Sequence, residues 1–275
     1  PLRCEWCSNP ESQNSSPEIA LNEGKCIGYE ECGLCIEGCW RNAIYKKDET
    51  VSIDRGLCNN CGECSLLCPS KALSMFGWGM SVDEILDKVE EDSAFYARSG
   101  GGLTISGGEP LMQHEFAAQL LKEAKQRGID TAIETCGFAP WEHMKMVCQY
   151  ANTIFYDIKC IDENKHLKYT GVKNRIILEN FKELADQFPQ SNIIVRTPVI
   201  PGFNNNTEDI LAIVNFLTPF KNIKYQLLPY HSFGSIKYSY LGREYSMNNV
   251  QKLTEVEMKE LNQVAVLPAK DLDEC

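Results

Sequence analysis

From about Gly79 onward, the apolar residues of the chain alternate between helical and strand spacing. Ser81 and Glu84 form a capping box, and apolar residues at helical spacing follow, which predicts a helix that begins there. Five short apolar runs then predict strands, and stretches between them predict helices, with Gly128 closing the first of these helices and Thr207 capping the last. Strands that alternate with helices indicate βαβ units, and therefore a parallel sheet or barrel. The predicted strands cover residues 103–106, 131–134, 154–158, 193–197 and 225–228, and these helices lie near 114–127, 141–150, 174–188 and 207–217.

Polar and glycine residues follow each predicted strand directly. Because parallel strands all end at the same rim of a sheet or barrel, we expect these residues to lie together. In α/β barrels this carboxyl-terminal rim carries the chemistry, so the pattern predicts an active site. The segments are Ser106-Gly107-Gly108-Glu109-Pro110, Glu134-Thr135-Cys136-Gly137, Asp157-Ile158-Lys159, Arg196 with the residues up to Gly202, and Pro229-Tyr230-His231.

The first 68 residues have a different character, because ten of the fourteen cysteines lie there. The run Cys58-x2-Cys61-x2-Cys64-x3-Cys68-Pro69 has the spacing that holds [4Fe–4S] clusters in bacterial ferredoxins, where the fourth cysteine binds the other cluster. Upstream, Cys26-x5-Cys32-x2-Cys35-x3-Cys39 repeats this run with a wider first gap. Disulfides and zinc are the alternatives, but a zinc site normally uses two ligand pairs separated by a longer loop. The predicted clusters are therefore held by Cys26, Cys32, Cys35 and Cys68, and by Cys58, Cys61, Cys64 and Cys39.

Composition narrows the class of protein. The 275 residues carry 27 Lys and Arg against 38 Asp and Glu, a net charge of −11, which argues against a nucleic-acid partner. No apolar run approaches the length of a membrane span, so the sequence predicts no membrane partner. No secretory signal is visible, and oxygen-sensitive clusters need a reducing, anaerobic compartment, so we expect the protein in the cytoplasm.

A resemblance to a known family rests on the start of the chain and on motifs that follow in the family's order. The start, Pro1-Leu2-Arg3-Cys4-Glu5-Trp6-Cys7-Ser8-Asn9-Pro10-Glu11-Ser12, looks like the end of the radical SAM motif C-x3-C-x2-C. Alone, Cys4-x2-Cys7 would fit a thioredoxin-like motif or half a zinc site equally well. The cysteine repeat, SGGEP, ETCG, DIK, VRTPVIPGFNN and LLPYH then follow. Together they resemble the glycyl radical enzyme activating enzymes, which are pyruvate formate-lyase-activating-enzyme-like, in the branch with a two-cluster ferredoxin insert.

The resemblance implies an α/β fold: a partial (β/α)6 barrel of the TIM type, with an inserted α+β domain of the ferredoxin type. Residues 1–20 would form the radical SAM cluster loop, residues 21–78 the insert and residues 79–266 the rest of the barrel. Residues 267–275 match nothing and have no assigned role. The family's first strand and the first cysteine of its triad would precede Pro1, so we expect the chain as it stands to be inactive.

The enzyme that the resemblance implies is an oxidoreductase that uses S-adenosylmethionine (SAM). Three cysteines would leave one iron of a [4Fe–4S] cluster open to SAM, and one electron would split SAM into methionine and a 5′-deoxyadenosyl radical. That radical would take a hydrogen atom from a glycine of a partner glycyl radical enzyme, such as a lyase, dehydratase or decarboxylase, in surroundings that exclude water. A flavodoxin or a ferredoxin-type protein would supply the electron, and the intact protein would hold three clusters.

The resemblance also implies roles for individual residues. Cys4 and Cys7 would bind the site cluster, and Trp6 would contact the adenine of SAM. Gly107 and Gly108 would let the backbone approach SAM closely, while Glu109 would accept a hydrogen bond from its amino group. The other predicted SAM-site residues are Ser8, Glu134, Asp157, Ile158, Lys159, Arg196 and His231, of which Lys159 and His231 are predicted, with Cys4 and Cys7, to be catalytic.

Several alternatives stay open. Glu134 and Asp157 are predicted to frame a monovalent cation, because neighbouring carboxylates need a counter-charge, but a salt bridge to Lys159 would also supply one. The insert clusters would either relay electrons or only hold the insert's fold. Other candidate functions are a radical SAM enzyme with another substrate and a ferredoxin-like electron carrier. Histidines without a motif (His114, His143 and His166) are expected at the surface, and Cys136, Cys148 and Cys160 are expected to be buried apolar residues.

Overall fold

The computed structural model describes residues 2–267. These residues form two compact units. The first, here called the sheet unit, contains residues 2–4, 80–231 and 249–267. The second, the cysteine unit, contains residues 5–79 and 232–248, and thus all of the predicted insert at 21–78. Of the unassigned tail at 267–275, all but Leu267 lies outside the described residues.

The described residues contain nine strands and eleven α-helices. The strands are β1 (Glu18–Leu21), β2 (Ile44–Lys47), β3 (Thr50–Ile53), β4 (Leu73–Phe76), β5 (Gly102–Ile105), β6 (Asp130–Thr135), β7 (Thr153–Asp157), β8 (Asn192–Val199) and β9 (Ile223–Pro229). The α-helices are α1 (Leu34–Glu37), α2 (Glu63–Leu67), α3 (Val82–Glu90), α4 (Ser93–Ser99), α5 (His114–Gln126), α6 (Trp141–Cys148), α7 (Glu163–Thr170), α8 (Arg175–Gln187), α9 (Thr207–Leu217), α10 (Ser235–Tyr240) and α11 (Glu255–Val264). Short 3-10 helices cover Pro10–Gln13, Glu23–Lys25 and Pro110–Gln113.

The sheet unit is built on a five-stranded parallel sheet in which β5, β6, β7, β8 and β9 lie side by side in chain order. Every strand predicted from the apolar runs is present, with ends shifted by a few residues. Buried residues of the strands, such as Ile133, Ile154 and Val195, place apolar side chains in the core. The predicted α/β fold with a parallel sheet is therefore confirmed.

Capping residues explain where the helices of the sheet unit begin and end. The Ser81 side chain accepts a hydrogen bond from the backbone N–H of Glu84 and the Glu84 carboxylate accepts one from the N–H of Ser81, so the predicted capping box is confirmed. Gly128 follows α5 with φ +76°, which suits glycine. The prediction that Thr207 caps α9 is wrong. Asn206 is extended and its side-chain oxygen accepts from the N–H of Asp209, which makes Thr207 the first helical residue.

The cysteine unit contains two antiparallel strand pairs, β1 with β4 and β2 with β3. Its two short helices, α1 and α2, each begin after a left-handed glycine, Gly33 and Gly62, which immediately follow Cys32 and Cys61. The segment 232–248 packs within this unit: Arg243 donates to the carbonyl of Pro10 over 2.6 Å and to Glu18. Among residues 2–267, no helix is both long and apolar enough to cross a membrane.

Candidate active site

The polar residues predicted to share one rim do lie at the carboxyl-terminal edge of the parallel sheet. Glu134 is near the end of β6, Asp157 ends β7, and Arg196 is paired with Asp157 in the register of β7 and β8. Gly107 and Gly108 follow β5 and are exposed, and Gly107 has φ +105°, a conformation that favours glycine. His231 follows β9 and is exposed.

Arg196 joins two carboxylates of neighbouring strands. Its Nη1 lies 2.9 Å from Glu134 Oε1, and its Nε and Nη2 both lie 3.2 Å from Asp157 Oδ1. The guanidinium also lies over the Phe155 ring, 4.8 Å from the centroid. The Arg196 side chain is only 13% exposed, so its guanidinium is a fixed counter-charge to both carboxylates. The counter-charges predicted from the sequence were a monovalent cation or Lys159.

Lys159 supplies the second positive charge of this group. Its ammonium lies 3.2 Å from Asp157 Oδ2, and the side chain is buried. Burial alone would lower the pKa of Lys159, but the nearby Asp157 carboxylate and Cys4 thiol group raise it above its usual range. Cys4 is buried too, and the N–H of the preceding Arg3 donates to the carbonyl of Thr170 over 2.9 Å. Lys159 and Asp157 are therefore in contact within the sheet unit, which also contains Cys4.

The ionisation of Glu134 makes the stability of the folded chain depend on pH. Burial raises the pKa of Glu134, but hydrogen bonds from Arg196 and Ser106 outweigh burial and hold it below the usual 4.5. A carboxyl whose pKa is lower in the folded state stabilises that state above pH 4.5, and this contribution is lost as the pH falls through the folded-state pKa. We expect the free energy of unfolding of Glu134→Gln to fall less steeply than that of the unchanged chain below pH 4.5, measured by urea unfolding at several pH values. Equal slopes would contradict this expectation.

Glu109 is held by the segment that follows β6. Its Oε1 accepts from the Thr135 hydroxyl over 2.6 Å and from the Leu111 N–H over 3.2 Å. Its Oε2 accepts from the N–H of Cys136 over 2.9 Å and from the Cys136 thiol over 2.8 Å. A carboxylate offers about four acceptor sites, so a bond from the amino group of SAM, as the resemblance implies, would have to displace one of these donors.

Close packing fixes the shape of the same segment. Gly137 has φ +67°, and a Cβ there would lie 1.8 Å from the Tyr156 hydroxyl, so only glycine fits. The buried Asn180 side chain donates to the carbonyls of Gly137 and Ala139 over 2.8 Å each. Asn204, also buried, donates to the carbonyls of Lys159 and Pro198. These amides hold the loops that carry the charged residues.

The eight cysteines of the predicted ferredoxin-type clusters line two pockets of the cysteine unit. Cys39, Cys58, Cys61 and Cys64 line one pocket, here called the Cys58 pocket. Cys26, Cys32, Cys35 and Cys68 line the other, the Cys26 pocket. These are the two quartets expected from the ferredoxin spacing, including the exchange of the fourth cysteine.

Backbone amides point at the exchanged cysteines. The N–H of Ala43 lies 3.3 Å from Cys39 Sγ, and the N–H of Leu73 lies 3.5 Å from Cys68 Sγ. Burial raises the pKa of Cys64 to about 12, with a further contribution from the neighbouring Cys58 and Cys61. Such crowding of thiol groups is costly unless a cation neutralises their thiolates, which fits an iron–sulfur cluster.

Two absences are recorded for the described cysteines. No disulfide joins any of the cysteines between residues 2 and 267. Over the same residues, no three His, Cys, Asp or Glu side chains converge closely enough to hold a single metal ion.

The other predicted residues at the start of the chain lie in the cysteine unit. Trp6 is buried, and the Cys7 carbonyl accepts from the Tyr238 hydroxyl over 3.0 Å. Ser8 packs against Gly234, where a Cβ would lie 2.5 Å from Ser8 Cα. Glu11 has one oxygen 2.7 Å from Lys237, and its buried Oε2 accepts no hydrogen bond from the described residues. The sequence analysis gave Glu11 no role.

Of the predictions for the remaining histidines and cysteines, the one for His166 is wrong. His166 was expected at the surface but is buried, and its Nδ1 lies 2.7 Å from the Val172 carbonyl, which satisfies the ring in the core. Burial lowers its pKa. His114 and His143 are partly exposed and stack on each other with ring centroids 3.5 Å apart. The predicted burial of Cys136, Cys148 and Cys160 is confirmed.

Sequence reasoning also missed several residues that position the charged groups. Ser106 donates to Glu134 over 2.6 Å, Thr135 donates to Glu109, and Asn204 binds the loop after Lys159. Each lies inside a motif that was recognised, namely SGGEP, ETCG or PGFNN. The motif letters marked the segments, but only the folded arrangement reveals which polar side chain contacts which.

Comparisons with known proteins bear on the family of this chain. The model of the radical SAM superfamily matches residues 58–217. The isethionate sulfite-lyase activating enzyme of Oleidesulfovibrio alaskensis is 51% identical over 266 residues, which cover 96% of this chain and 85% of that protein. The (2S)-3-sulfopropanediol sulfolyase activating enzyme of Bilophila wadsworthia is 47% identical, over 95% of this chain and 86% of that protein.

A solved structure adds a likeness in fold. A domain of pyruvate-formate lyase-activating enzyme from Bacteroides vulgatus has 28% identity and a TM-score of 0.50, and the match covers 60% of this chain and 92% of that one. The family match, the identities and their coverage lead to one assignment. This chain belongs to the radical SAM superfamily and, within it, to the glycyl radical enzyme activating enzymes, which cleave SAM and generate a glycyl radical on a partner enzyme.

Proposed function

We propose that this chain activates a glycyl radical enzyme that releases sulfite from a sulfonate. The observation that carries the proposal is the 51% identity, over 96% of this chain, to an activating enzyme whose name specifies isethionate sulfite-lyase. A second relative, at 47% identity, is named for a sulfopropanediol sulfolyase. Both named partners act on sulfonates, which favours a partner of that chemical class.

The SAM site is proposed at the carboxyl-terminal rim of the sheet. Cys4 and Cys7, with a cysteine that precedes Pro1, would hold the site cluster, and the bound cluster and SAM supply a radical that abstracts a hydrogen atom. Arg196 and Lys159 compensate Glu134 and Asp157, so the rim keeps its shape around a charged ligand. The exposed backbone of Gly107 and Gly108 leaves room for that ligand to approach.

The other parts of the proposed site follow the resemblance. Trp6 and Ser8 would contact SAM, Ile158 would line its site, and His231 would lie near the incoming glycine. Glu109 would hold the segment after β6, and it would contact SAM only by giving up a present donor. The monovalent cation stays a prediction, since Arg196 already provides a counter-charge to both carboxylates.

The cysteine unit is proposed as a ferredoxin-type insert with two [4Fe–4S] clusters, at residues 21–78 of the chain. The two pockets, each lined by one predicted quartet, support this. The parallel sheet would belong to a partial (β/α)6 barrel whose first strand precedes Pro1. An external flavodoxin or ferredoxin-type protein would deliver electrons to the clusters, in the cytoplasm.

The test uses the chain extended by the segment that precedes Pro1, loaded with iron and sulfide and reduced in the presence of SAM. An isethionate sulfite-lyase is offered as one partner, and a lyase acting on choline as the other. We expect 5′-deoxyadenosine and a glycyl-radical EPR doublet with the sulfite-lyase, and no doublet when its radical glycine is replaced by alanine. A doublet only with the choline enzyme would contradict the sulfonate assignment. Absence of SAM cleavage would favour an electron carrier instead.

A further inference from the structure

We propose that Arg55 makes the cluster in the Cys58 pocket easier to reduce than the cluster in the Cys26 pocket. This inference rests on the proposed function, because it takes both pockets to hold [4Fe–4S] clusters. It concerns how the two clusters differ, whereas the cysteine repeat by itself predicts two equivalent ones.

The two halves of the cysteine unit correspond closely in backbone. Gly33 and Gly62 are left-handed and follow the second cysteine of each run. Asn42 and Lys71 both have positive φ, 52° and 55°, and both lie three residues after the fourth cysteine. Differences between corresponding positions therefore report differences between the two pockets.

The corresponding positions differ in charge. Arg55 lies three residues before Cys58, whereas Glu23 lies three residues before Cys26. Arg41 lies two residues after Cys39 and lines the Cys58 pocket, whereas the corresponding residue of the Cys26 pocket is Ser70. Arg41 thus lines the Cys58 pocket and Arg55 lies behind it, bonded to the pocket-lining Ile19, whereas an acid and a hydroxyl stand at the corresponding positions of the other half.

Of the two arginines, Arg55 is fixed in place. Its Nη1 donates to the carbonyl of Ile19 over 2.5 Å and its Nη2 to the carbonyl of Tyr240 over 2.9 Å. Both acceptors are neutral, and no carboxylate of residues 2–267 forms an ion pair with it, because nearby Glu18 is held by Arg243. Burial lowers the pKa of Arg55, whereas Cys58, Glu18 and Cys64 raise it. Its charge is therefore held close to Cys58 and Cys64, with no carboxylate in direct contact with it among residues 2–267.

A fixed cation favours the more negative, reduced state of a cluster. The effect is largest for a partly buried charge, since solvent screens exposed ones. Arg41 and Glu63 also line the Cys58 pocket, but both are exposed, so solvent screens their effect on the potential of the cluster. Ser70 lies 3.6 Å from Cys68 Sγ and would raise the potential of the other cluster, but a hydroxyl dipole is weaker than a full charge.

Arg55 also connects its pocket with the start of the chain. The helix α10 ends at Tyr240, whose carbonyl accepts from Arg55, and Tyr238 in the same helix donates to the carbonyl of Cys7. The cluster that holds the electron more strongly is thus the one whose arginine bonds to α10, the helix that also bonds to Cys7, a ligand of the proposed site cluster. An electron entering the insert would come to rest there.

The experiment compares Arg55→Gln, Arg55→Lys and Arg41→Gln in the extended, iron-loaded chain by EPR-monitored redox titration. Signals are assigned with Cys58→Ser and Cys26→Ser variants, and the site cluster by its response to SAM. In the unchanged chain the Cys58 cluster should be reduced first. Arg55→Gln should lower its reduced-to-oxidised ratio at a fixed potential about tenfold, equivalent to 59 mV for one electron, with the other cluster unchanged. Arg55→Lys should keep most of the ratio, and Arg41→Gln should change it little.

Each result has a distinct meaning. Iron and EPR signals for only one cluster would contradict the proposed function before Arg55 is considered. Two clusters of equal potential, or no selective shift in Arg55→Gln, would overturn the inference and leave the clusters in place. If Arg55→Gln fails to retain iron, the order of reduction in the unchanged chain and the Arg55→Lys titration still decide the question.

Discussion

Replacing Arg196 by Gln is expected to lower the rate of SAM cleavage by about 100-fold. Without the guanidinium, the side chains around the proposed SAM site would shift, and a displacement of about 1 Å can reduce a rate by roughly that factor. The substitution leaves Glu134 and Asp157 as neighbouring carboxylates, and of the two it is Asp157 that keeps a cation, Lys159. We also expect a loss of about 2 to 3 kcal/mol in the free energy of unfolding, less than for a fully buried pair because Glu134 is 32% exposed. Urea unfolding and the yield of 5′-deoxyadenosine measure the two effects.

Two further variants separate charge from geometry at this position. Arg196→Lys keeps the positive charge but cannot bind both carboxylates through a planar fork, so an intermediate rate is expected. Arg175→Gln is the matched control, because Arg175 is 80% exposed and its ion pair is with Glu179 on its own helix. An Arg196→Gln variant as active and as stable as Arg175→Gln would contradict the role assigned to Arg196.

The sheet was predictable from sequence because its signal is local. Runs of apolar residues with turn signals between them located all five parallel strands, and a parallel sheet gathers their ends by geometry alone. The cysteine spacing likewise identified the quartets that line the two pockets. In both cases the signal lies in the spacing of residues along the chain.

What the sequence could not reveal depends on long-range packing. Arg196 was recognised by its motif, but its contact with Glu134, 62 residues away, depends on the order of strands in the sheet. His166 was misplaced at the surface because its partner, the Val172 carbonyl, is a backbone group without a sequence signature. Residues 232–248 were assigned to the barrel, yet Arg243 binds Glu18 in the cysteine unit.

Glu109→Gln is the change that best separates the two roles considered for this residue. The Cys136 thiol must donate to Glu109, because burial, followed by the nearby carboxylate, raises the pKa of Cys136 well above its usual value and keeps it protonated. The NH2 group of a Gln side chain would replace one of the two carboxylate oxygens. In one orientation it would face Cys136, and in the other it would face Thr135 and Leu111. All of these groups donate hydrogen bonds to Glu109, so either orientation places donor against donor. Since bonds to a charged group contribute about 1.5 to 3 kcal/mol each, we expect a loss of roughly 2 to 4 kcal/mol in the free energy of unfolding.

If Glu109 acts by holding the segment after β6, the Gln variant should lose hydrogen-exchange protection at Cys136 and Gly137, whose N–H groups bond to Glu109 and Thr135. The rate at saturating SAM should then fall together with stability. If Glu109 instead binds the amino group of SAM directly, the affinity for SAM should fall while stability and protection stay unchanged. Glu115→Gln, at an exposed position of α5, is the matched control and should change none of these quantities. The four donors around Glu109 favour the first result, because a carboxylate already holding them has no site left for a fifth.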